Sequence, residues 1–244
     1  MKDPQAHSAP APGNSRREFL RNIALVAGAA SLAGAANAAA LPTEPEGESP
    51  PSEYLSFGPD EAAFVEALVD VMCPADGLTP RGVECGLALF VDRQLAGAFG
   101  QGERLYRNGP WRPGRAEDGF QRPLTPEQFY KAGIAAANEA CRRRHGRPFA
   151  ALDHGEADEM LTVFAAGGTA DEPALLGEWF NELVYPLFVQ SCFADPIYGG
   201  NRGKVFWKML GYPGLPAVNG LNMVRYRGKP FPGARTPMSM EDFS

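Results

Sequence analysis

The chain has 244 residues, 44% of them hydrophobic, and carries 23 Lys and Arg against 29 Asp and Glu, a formal net charge of −6. This acidic balance argues against binding to the phosphate backbone of nucleic acids, because such binding needs clustered positive charge. Nothing in the composition therefore suggests a nucleic-acid-binding protein.

The N-terminus has the layout of a secretory signal. The hexapeptide SRREFL at residues 15–20 precedes an apolar, Ala- and Gly-rich run at 23–41, and Ala-Asn-Ala at 36–38 is a small-x-small cleavage site. The arginine pair points to the twin-arginine route, which exports proteins already folded. We predict that residues 1–38 are a cleaved signal and that the protein works in the periplasm. The residues interpreted as the export signal are Arg16, Arg17, Phe19 and Leu20.

The apolar run at 23–41 has two alternative interpretations, an uncleaved membrane anchor and an N-terminal core helix. Its 19 residues are near the lower limit for a membrane span. Ala and Gly contribute little burial free energy in lipid, and the Ala-x-Ala end is followed by Pro42. These features favour removal of the segment.

Beyond the predicted signal, composition divides the chain into three parts. Residues 39–56 are rich in Pro and Glu, which is typical of a flexible linker. Residues 57–215 carry helical patterns and form the predicted domain, whereas residues 216–244 lack a clear period and are interpreted as an extended tail. The chain after residue 38 has 19 basic and 27 acidic side chains, a formal charge of −8, and its length suits one well-buried domain.

Apolar residues at helical spacing predict the elements of this domain. Capping boxes at Thr125–Gln128 and Asp153–Glu156 mark two helix starts, and Gly146 is placed to end the first of these helices. Pro186 should kink or divide the most apolar segment. No stretch alternates as a strand would, so we predict an all-α fold, an irregular single helical domain with long loops. The predicted helices cover 60–72, 83–99, 125–144, 153–167, 174–193 and 205–210.

The four cysteines, Cys73, Cys85, Cys141 and Cys192, form no C-x-x-C pair. In an oxidising compartment an even number favours disulfides, and four cysteines allow three pairings. We favour one intramolecular disulfide over four thiols that only pack. A bridge from one of them to a partner chain is a further hypothesis.

The residue patterns of known catalytic sites are missing. His145 and His154 have no metal-binding spacing, and Gly199–Lys204 has the wrong spacing for a phosphate loop. No dinucleotide fingerprint follows a predicted strand, and no nucleophile elbow is present. We therefore predict no catalytic residue, metal site or cofactor site in this chain.

The densest motif is FADPIYGGNRGKVFWKMLGYPG at residues 193–214. Its paired glycines permit a tight reversal, in which Asp195 can accept backbone N–H bonds. Arg202 is placed to pair with Asp195 or with a carboxylate of a partner. Two interpretations stay open: the motif fixes a loop against the long apolar helix, or it contacts another subunit through its aromatic side chains. The candidate residues are Asp195, Tyr198, Gly199, Gly200, Asn201, Arg202, Trp207, Gly211, Tyr212, Pro213 and Gly214.

This motif resembles that of the gluconate 2-dehydrogenase subunit 3 family, whose members carry F-x-D-P-x-Y-G-G-N, then a tryptophan and G-[YF]-P-G. Residues 76–83, followed by Phe90-Val91-Asp92, are similar to the family's glycine-rich turn and F-I-D segment. The resemblance covers about residues 57–215. The leader, with its arginine pair, is a third match.

The resemblance implies a non-catalytic small subunit of a periplasmic dehydrogenase. Such a subunit escorts, exports and stabilises a large FAD-dependent subunit of the glucose-methanol-choline type, as in gluconate 2-dehydrogenase. The large subunit typically has no signal of its own, and a membrane-bound multihaem cytochrome c is a common third subunit. FAD would then belong to the partner, haem c to the third subunit, and membrane association to the complex.

The alternative function is a free-standing periplasmic enzyme or sugar-acid-binding protein. In that case the Arg-rich loop at 104–115 would bind an anionic substrate, with Asp195 and Arg202 in the same site. A solvated surface is the simpler interpretation of that loop, and we prefer it.

Overall fold

The computed structural model describes residues 54–105, 107–111, 122–167, 175–216 and 219–243. The predicted signal and residues 39–53 of the predicted linker lie outside the described residues. Within these ranges the chain is helical and has no strand, only an isolated bridge between Gly214 and Met238, so the predicted all-α class is confirmed. The α-helices are α1 Pro59–Met72, α2 Leu87–Ala96, α3 Ala98–Gln101, α4 Pro126–His145, α5 His154–Ala165, α6 Leu175–Trp179, α7 Tyr185–Phe193, α8 Val205–Leu210 and α9 Gly220–Arg225.

Both predicted capping boxes are confirmed. The Thr125 hydroxyl accepts the Gln128 N–H at 3.1 Å, and the Thr125 N–H donates to the Gln128 side chain at 3.0 Å. Asp153 and Glu156 make the same reciprocal pair at 3.0 and 3.1 Å. Gly146 ends α4 in the left-handed conformation, with φ 73°. These local bonds satisfy N–H groups that a helix start leaves without partners, and they fix where α4 and α5 begin.

A π-helical turn, Phe180–Val184, joins α6 to α7, and Pro186 is the second residue of α7. Proline has no N–H to donate to the carbonyl four residues earlier, and its ring crowds that carbonyl. The chain accommodates Pro186 by widening one turn, so that the Tyr185 N–H donates to the Phe180 carbonyl. The predicted division at Pro186 therefore takes the form of a π turn inside one continuous helical segment.

The helix predicted at 83–99 is shorter in the structure, because two glycines interrupt it. Gly86 lies at φ 76°, and α2 begins only at Leu87. Gly97 is extended and separates α2 from the single turn α3. A side chain on Gly86 would lie 2.1 Å from the Gly199 carbonyl, so this break serves the packing of a distant loop.

The core is centred on the buried indole of Trp179. Its ring lies 6.0–6.2 Å from the rings of Phe64, Tyr130 and Phe164, which come from α1, α4 and α5. The indole N–H donates to the Tyr130 carbonyl at 3.1 Å, so the polar atom of this large side chain is satisfied. One aromatic cluster therefore joins four helical segments.

Gly133 is the point where α4 approaches this indole most closely. A Cβ at Gly133 would lie 2.2 Å from ring atoms of Trp179, so we expect Gly133→Ala to lower the free energy of unfolding by about 2 kcal/mol or more through overpacking. The matched control is Gly155→Ala in α5, where the nearest atom would be a carboxylate oxygen of Asp153 at 3.5 Å. That change should stabilise by about 0.5 kcal/mol because alanine is the better helix former. Chemical denaturation of both variants checks the pair, and equal effects would contradict the close approach.

The four cysteines are all free and buried, so the prediction of an intramolecular disulfide is wrong. Desolvation raises the pKa of the Cys85 thiol to about 11 and that of Cys192 to about 12. Both thiols therefore stay protonated at neutral pH, and their reactivity is low. The oxidising compartment predicted from the sequence favours a bridge, whereas the packing uses these side chains as small apolar groups.

The C-terminal segment differs from the extended tail predicted for 216–244. It contains α9 and two 3₁₀ turns, Pro232–Arg235 and Met240–Phe243. It also returns to the domain, because the Leu215 N–H donates to the Met238 carbonyl at 2.8 Å and the Met238 N–H donates to the Pro213 carbonyl at 3.0 Å. Backbone hydrogen bonds between residues so far apart produce no apolar periodicity in the sequence. The periodicity therefore could not predict that this segment returns to the domain.

Among the described helices, none has both the length and the apolar character needed to cross a membrane. The run at 23–41, for which an anchor was the alternative interpretation, lies outside the described residues.

Candidate functional site

The motif at 193–214 starts at the end of α7, makes two 3₁₀ turns, Pro196–Tyr198 and Arg202–Lys204, and continues through α8. Asn201 lies at its centre and is fully buried. Its amide N–H₂ donates to the Ala194 carbonyl at 3.1 Å, and its amide oxygen accepts the Phe206 N–H at 3.1 Å. One side chain thereby ties the end of α7 to the start of α8.

The two motif glycines meet different requirements. Gly199 lies at φ 101°, a backbone conformation that L-residues rarely adopt. Gly200 is needed for close approach, because a Cβ there would lie 2.5 Å from the Ser191 carbonyl and 3.1 Å from the Phe90 side chain. The tight reversal predicted from the sequence is therefore packed between α7 and α2.

Asp195 accepts hydrogen bonds from two directions. One carboxylate oxygen accepts the Ile197 N–H at 3.1 Å, as expected for a side chain that caps this turn. The other accepts the Met240 N–H at 2.8 Å, from a part of the chain that no sequence pattern placed here. Lys204 adds a second link, donating to the Pro237 carbonyl at 3.1 Å and to Asp242 at 2.6 Å. The C-terminal residues are thus held against the motif.

The GYPG end of the motif packs around Trp207. The indole N–H of Trp207 donates to the Phe193 carbonyl at 2.9 Å, and the Tyr212 ring meets the indole edge-on at 5.1 Å. Gly211 ends α8 at φ 69°. Gly214, at φ 72°, leaves space for Met238, whose carbonyl would lie 1.9 Å from an added Cβ. Pro213 contributes the carbonyl that accepts the Met238 N–H.

The motif therefore contains two kinds of residue. Asn201, Gly200 and Trp207 are buried and fix the loop against the long apolar helical segment. Tyr198 and Tyr212 are 51% and 43% exposed, so much of each ring lies at the surface. The two interpretations of the motif thus apply to different side chains.

Arg202 lines an open cleft of about 310 Å³ beside the motif, together with Arg93 and Glu241. The backbone N–H of Arg202 donates to the Cys85 carbonyl at 3.0 Å, and this bond fixes the motif loop to the turn before α2. None of the described residues of the Arg-rich loop at 104–115 lines this cleft, so the described part of that loop and Arg202 do not form one site. Residues 106 and 112–115 of the loop lie outside the described residues.

We expect Asn201→Ala to lower the free energy of unfolding by about 3 kcal/mol. The change removes two buried hydrogen bonds and places alanine at φ 48°, which costs about 1 kcal/mol. Asn201→Gly removes the same bonds but relieves the backbone strain, so it should be about 1 kcal/mol less destabilising than alanine. Urea denaturation measures the free energy of unfolding of the parent protein and both variants, and we expect it to fall from parent to glycine to alanine. A glycine variant as stable as the parent protein would show that the side-chain bonds contribute nothing.

In the part of the chain that the structure describes, no group of His, Cys, Asp and Glu side chains is arranged to hold a metal ion. His145 lies 3.6 Å from Glu156, next to the start of α5. His154 is the first residue of that helix and is exposed.

Sequence reasoning missed the role of Asp92, which it noted in the F-I-D-like segment and placed on the polar side of the helix predicted at 83–99; the structure buries it. This buried carboxylate accepts the backbone N–H groups of Leu55, Ser56 and Phe57 at 2.6–2.8 Å. It fixes the place where the chain enters the domain. Three consecutive N–H groups on one distant carboxylate follow from the tertiary fold, which no local sequence pattern encodes.

The comparisons with known proteins agree with the motif. The family model described as gluconate 2-dehydrogenase subunit 3 matches residues 59–214, which is more than half of the chain. The comparisons with curated proteins and with solved structures gave no significant match. The matched range begins at the first residue of α1 and ends at the last residue of the GYPG element. The chain belongs to the gluconate 2-dehydrogenase subunit 3 family.

Proposed function

We propose that this protein is the non-catalytic small subunit of a periplasmic dehydrogenase. It escorts, exports and stabilises a large FAD-dependent subunit of the glucose-methanol-choline type, which oxidises a sugar or sugar acid such as gluconate. The observation that carries the proposal is membership of the subunit 3 family, because a subunit implies a complex with other subunits.

The sequence at the N-terminus supports the export role. An arginine pair before an apolar run and a small-x-small site fits the twin-arginine route, which carries folded proteins and can therefore carry a second chain bound to the first. In this proposal the large subunit binds FAD, a membrane-bound cytochrome with several c-type haems accepts electrons, and this chain holds neither group.

The polar groups at the centre of the motif support a structural role for this loop. The Asn201 amide and both Asp195 oxygens bond to backbone groups of the same chain. Such groups are used to hold a loop in place, and they leave the exposed rings of Tyr198 and Tyr212 as contact surface.

Co-purification from the native host tests the proposal. An affinity tag inserted in the predicted linker, at 39–53, survives signal cleavage and lies before the first described residue. We expect a flavoprotein with dye-reducing activity on gluconate or a related sugar to elute with the tagged chain, and haem staining to reveal a third band. A tagged chain that purifies alone, with the dehydrogenase activity in another fraction, would contradict the proposal.

The cleft at Arg93 and Arg202 is the one observation that favours the alternative, a sugar-acid-binding protein, because two guanidinium groups can bind a carboxylate. The Glu241 carboxylate in the same cleft opposes an anionic ligand. Calorimetric titration of the isolated chain with gluconate separates the two functions, and we expect no heat of binding.

A further inference from the structure

The charge of this protein is divided unevenly along the chain. Residues 196–244 hold seven Lys and Arg against two Asp and Glu, a net charge of +5, and both acidic residues, Glu241 and Asp242, come near its end. Residues 1–195 hold 16 against 27, a net charge of −11. An acidic protein thus has a basic C-terminal part, in which Arg202, Lys204 and Lys208 belong to the motif and four further basic residues follow it.

The same segment exposes apolar side chains on α9. Leu221 is 88% exposed, Met223 is 74% exposed and Val224 is 78% exposed. Single exposed apolar residues are common, but Leu221 and Val224 lie one turn apart on the same face of α9 and form an exposed apolar pair, while Met223 lines the neighbouring cavity. Arg225, the last residue of α9, is followed at once by further basic side chains at 227 and 229.

A cavity of about 370 Å³ lies between α9 and the GYPG end of the motif. Its walls are mainly apolar and include Tyr212, Pro213, Met223, Tyr226 and Phe231. The rings of Tyr226 and Phe231 meet edge-on at 5.1 Å, so one wall is an aromatic pair. A concave apolar cavity beside exposed apolar residues is the shape that accepts a protruding side chain of another protein.

The segment is presented from a fixed base. Leu215 and Pro213 pair with the backbone of Met238, as described above, and Lys204 binds the Pro237 carbonyl and Asp242. The chain is therefore attached to the motif at Leu215 and again at residues 237–242, and α9 lies in the segment between these two attachments. This arrangement limits the entropy that a partner would have to remove on binding.

We propose that the C-terminal face, defined as α9 together with Tyr212, Tyr226 and Phe231, is the docking surface for the large flavin-binding subunit. This inference rests on the proposed function. It specifies the chemistry of the partner's contact: an acidic patch around an apolar side chain that enters the cavity. The acidic patch would face Arg225, Arg227 and Lys229, whose charge steers association and excludes other surfaces.

Two other occupants match the charge of this face but are less suitable for other reasons. An anionic membrane attracts basic and apolar side chains, but a bilayer presents no protruding side chain to a concave cavity. A second copy of this chain has acidic surface to offer, but family membership calls for contact with a different subunit. Each is an outcome that the experiment can detect.

The experiment compares three tagged chains expressed in the native host with the large subunit present. The test variant is Leu221→Asp with Val224→Asp. It places two negative charges where the acidic patch of the partner would dock, so the two surfaces repel. The matched control is Leu78→Asp, since Leu78 is 72% exposed in the loop between α1 and α2 and lies away from the cavity lining. All three residues are so exposed that the variants should unfold at the same temperature as the parent protein.

We expect the test variant to lose co-purified flavin at least ten-fold per tagged chain, and the control to keep it. Flavin retained by the test variant at the level of the parent protein would overturn the docking surface while leaving the proposed function intact. A parent protein that co-purifies with no flavoprotein would overturn the proposed function and this inference with it.

Two further measurements detect the other occupants. Sedimentation with vesicles containing anionic lipid would show membrane binding, and analytical ultracentrifugation of the isolated chain would show self-association. Either activity, if lost in the test variant while flavin is retained, would reassign the face and overturn the proposal. A raised salt concentration should weaken flavoprotein binding by the parent protein, because charge contributes to the contact.

Discussion

Replacing Arg16 and Arg17 together by lysine should leave the dehydrogenase of the proposed complex in the cytoplasm. The twin-arginine signal is read by a receptor that recognises the arginine pair. Guanidinium is planar and donates in a fixed fork, whereas ammonium is a point charge, so Lys does not replace Arg at such a site. We expect dehydrogenase activity outside the cytoplasm to fall at least ten-fold. The missing activity should appear in the cytoplasmic fraction, because the large subunit of the proposed complex has no signal of its own.

The control for this prediction is Arg21→Lys, which lies between the hexapeptide and the apolar run and makes the same chemical change outside the pair. It should leave the distribution of activity unchanged. The measurement is dye reduction with gluconate in cell fractions, together with detection of the tagged chain in each fraction. Normal exported activity in the double variant would remove the escort role, even with family membership unaffected.

Local chemistry explains why the helix starts were predictable. Thr125 and Asp153 bond to groups three residues away, so the signal for α4 and α5 is complete within four letters of sequence. The break at Gly86 is different, because its cause is the Gly199 carbonyl on a loop more than a hundred residues later. The sequence therefore predicts where helices form better than where tertiary packing interrupts them.

The candidate residues of the motif were identifiable because they are unusual and contiguous, and the glycine reversal with Asp195 as its acceptor was predictable, but the burial of each side chain was not. Asn201 and Tyr198 belong to one short string, yet the first is fully buried and the second is half exposed. Burial depends on which face of the turn meets α2 and α7, which no local pattern encodes. The return of Met240 to Asp195 was equally invisible, since it joins residues 45 apart.

Asp92→Ala should be the most destabilising single change outside the aromatic core. The carboxylate accepts three N–H groups, from Leu55 at 2.6 Å and from Ser56 and Phe57 at 2.8 Å each. Hydrogen bonds to a charged group contribute about 1.5–3 kcal/mol each, and donors left buried without an acceptor add a penalty. Relaxation of the chain end recovers part of this, so we expect the free energy of unfolding to fall by about 3 kcal/mol or more.

The conservative variant Asp92→Asn separates the loss of acceptors from the loss of packing. Its amide oxygen can still accept two of the three N–H groups, while the amide N–H₂ faces the third donor, so the loss should be intermediate. Urea denaturation ranks the free energies of unfolding of the two variants, and amide hydrogen exchange at residues 55–57 should accelerate more in the alanine variant than in the asparagine variant.

The segment that Asp92 holds also contacts the core. The ring of Phe57 stacks at 6.0 Å on Tyr130, whose ring contacts Trp179, so detachment of residues 55–57 exposes one edge of the central aromatic cluster. An alanine variant within about 0.5 kcal/mol of the parent protein would contradict this account, because that is the size expected for a surface substitution without such bonds.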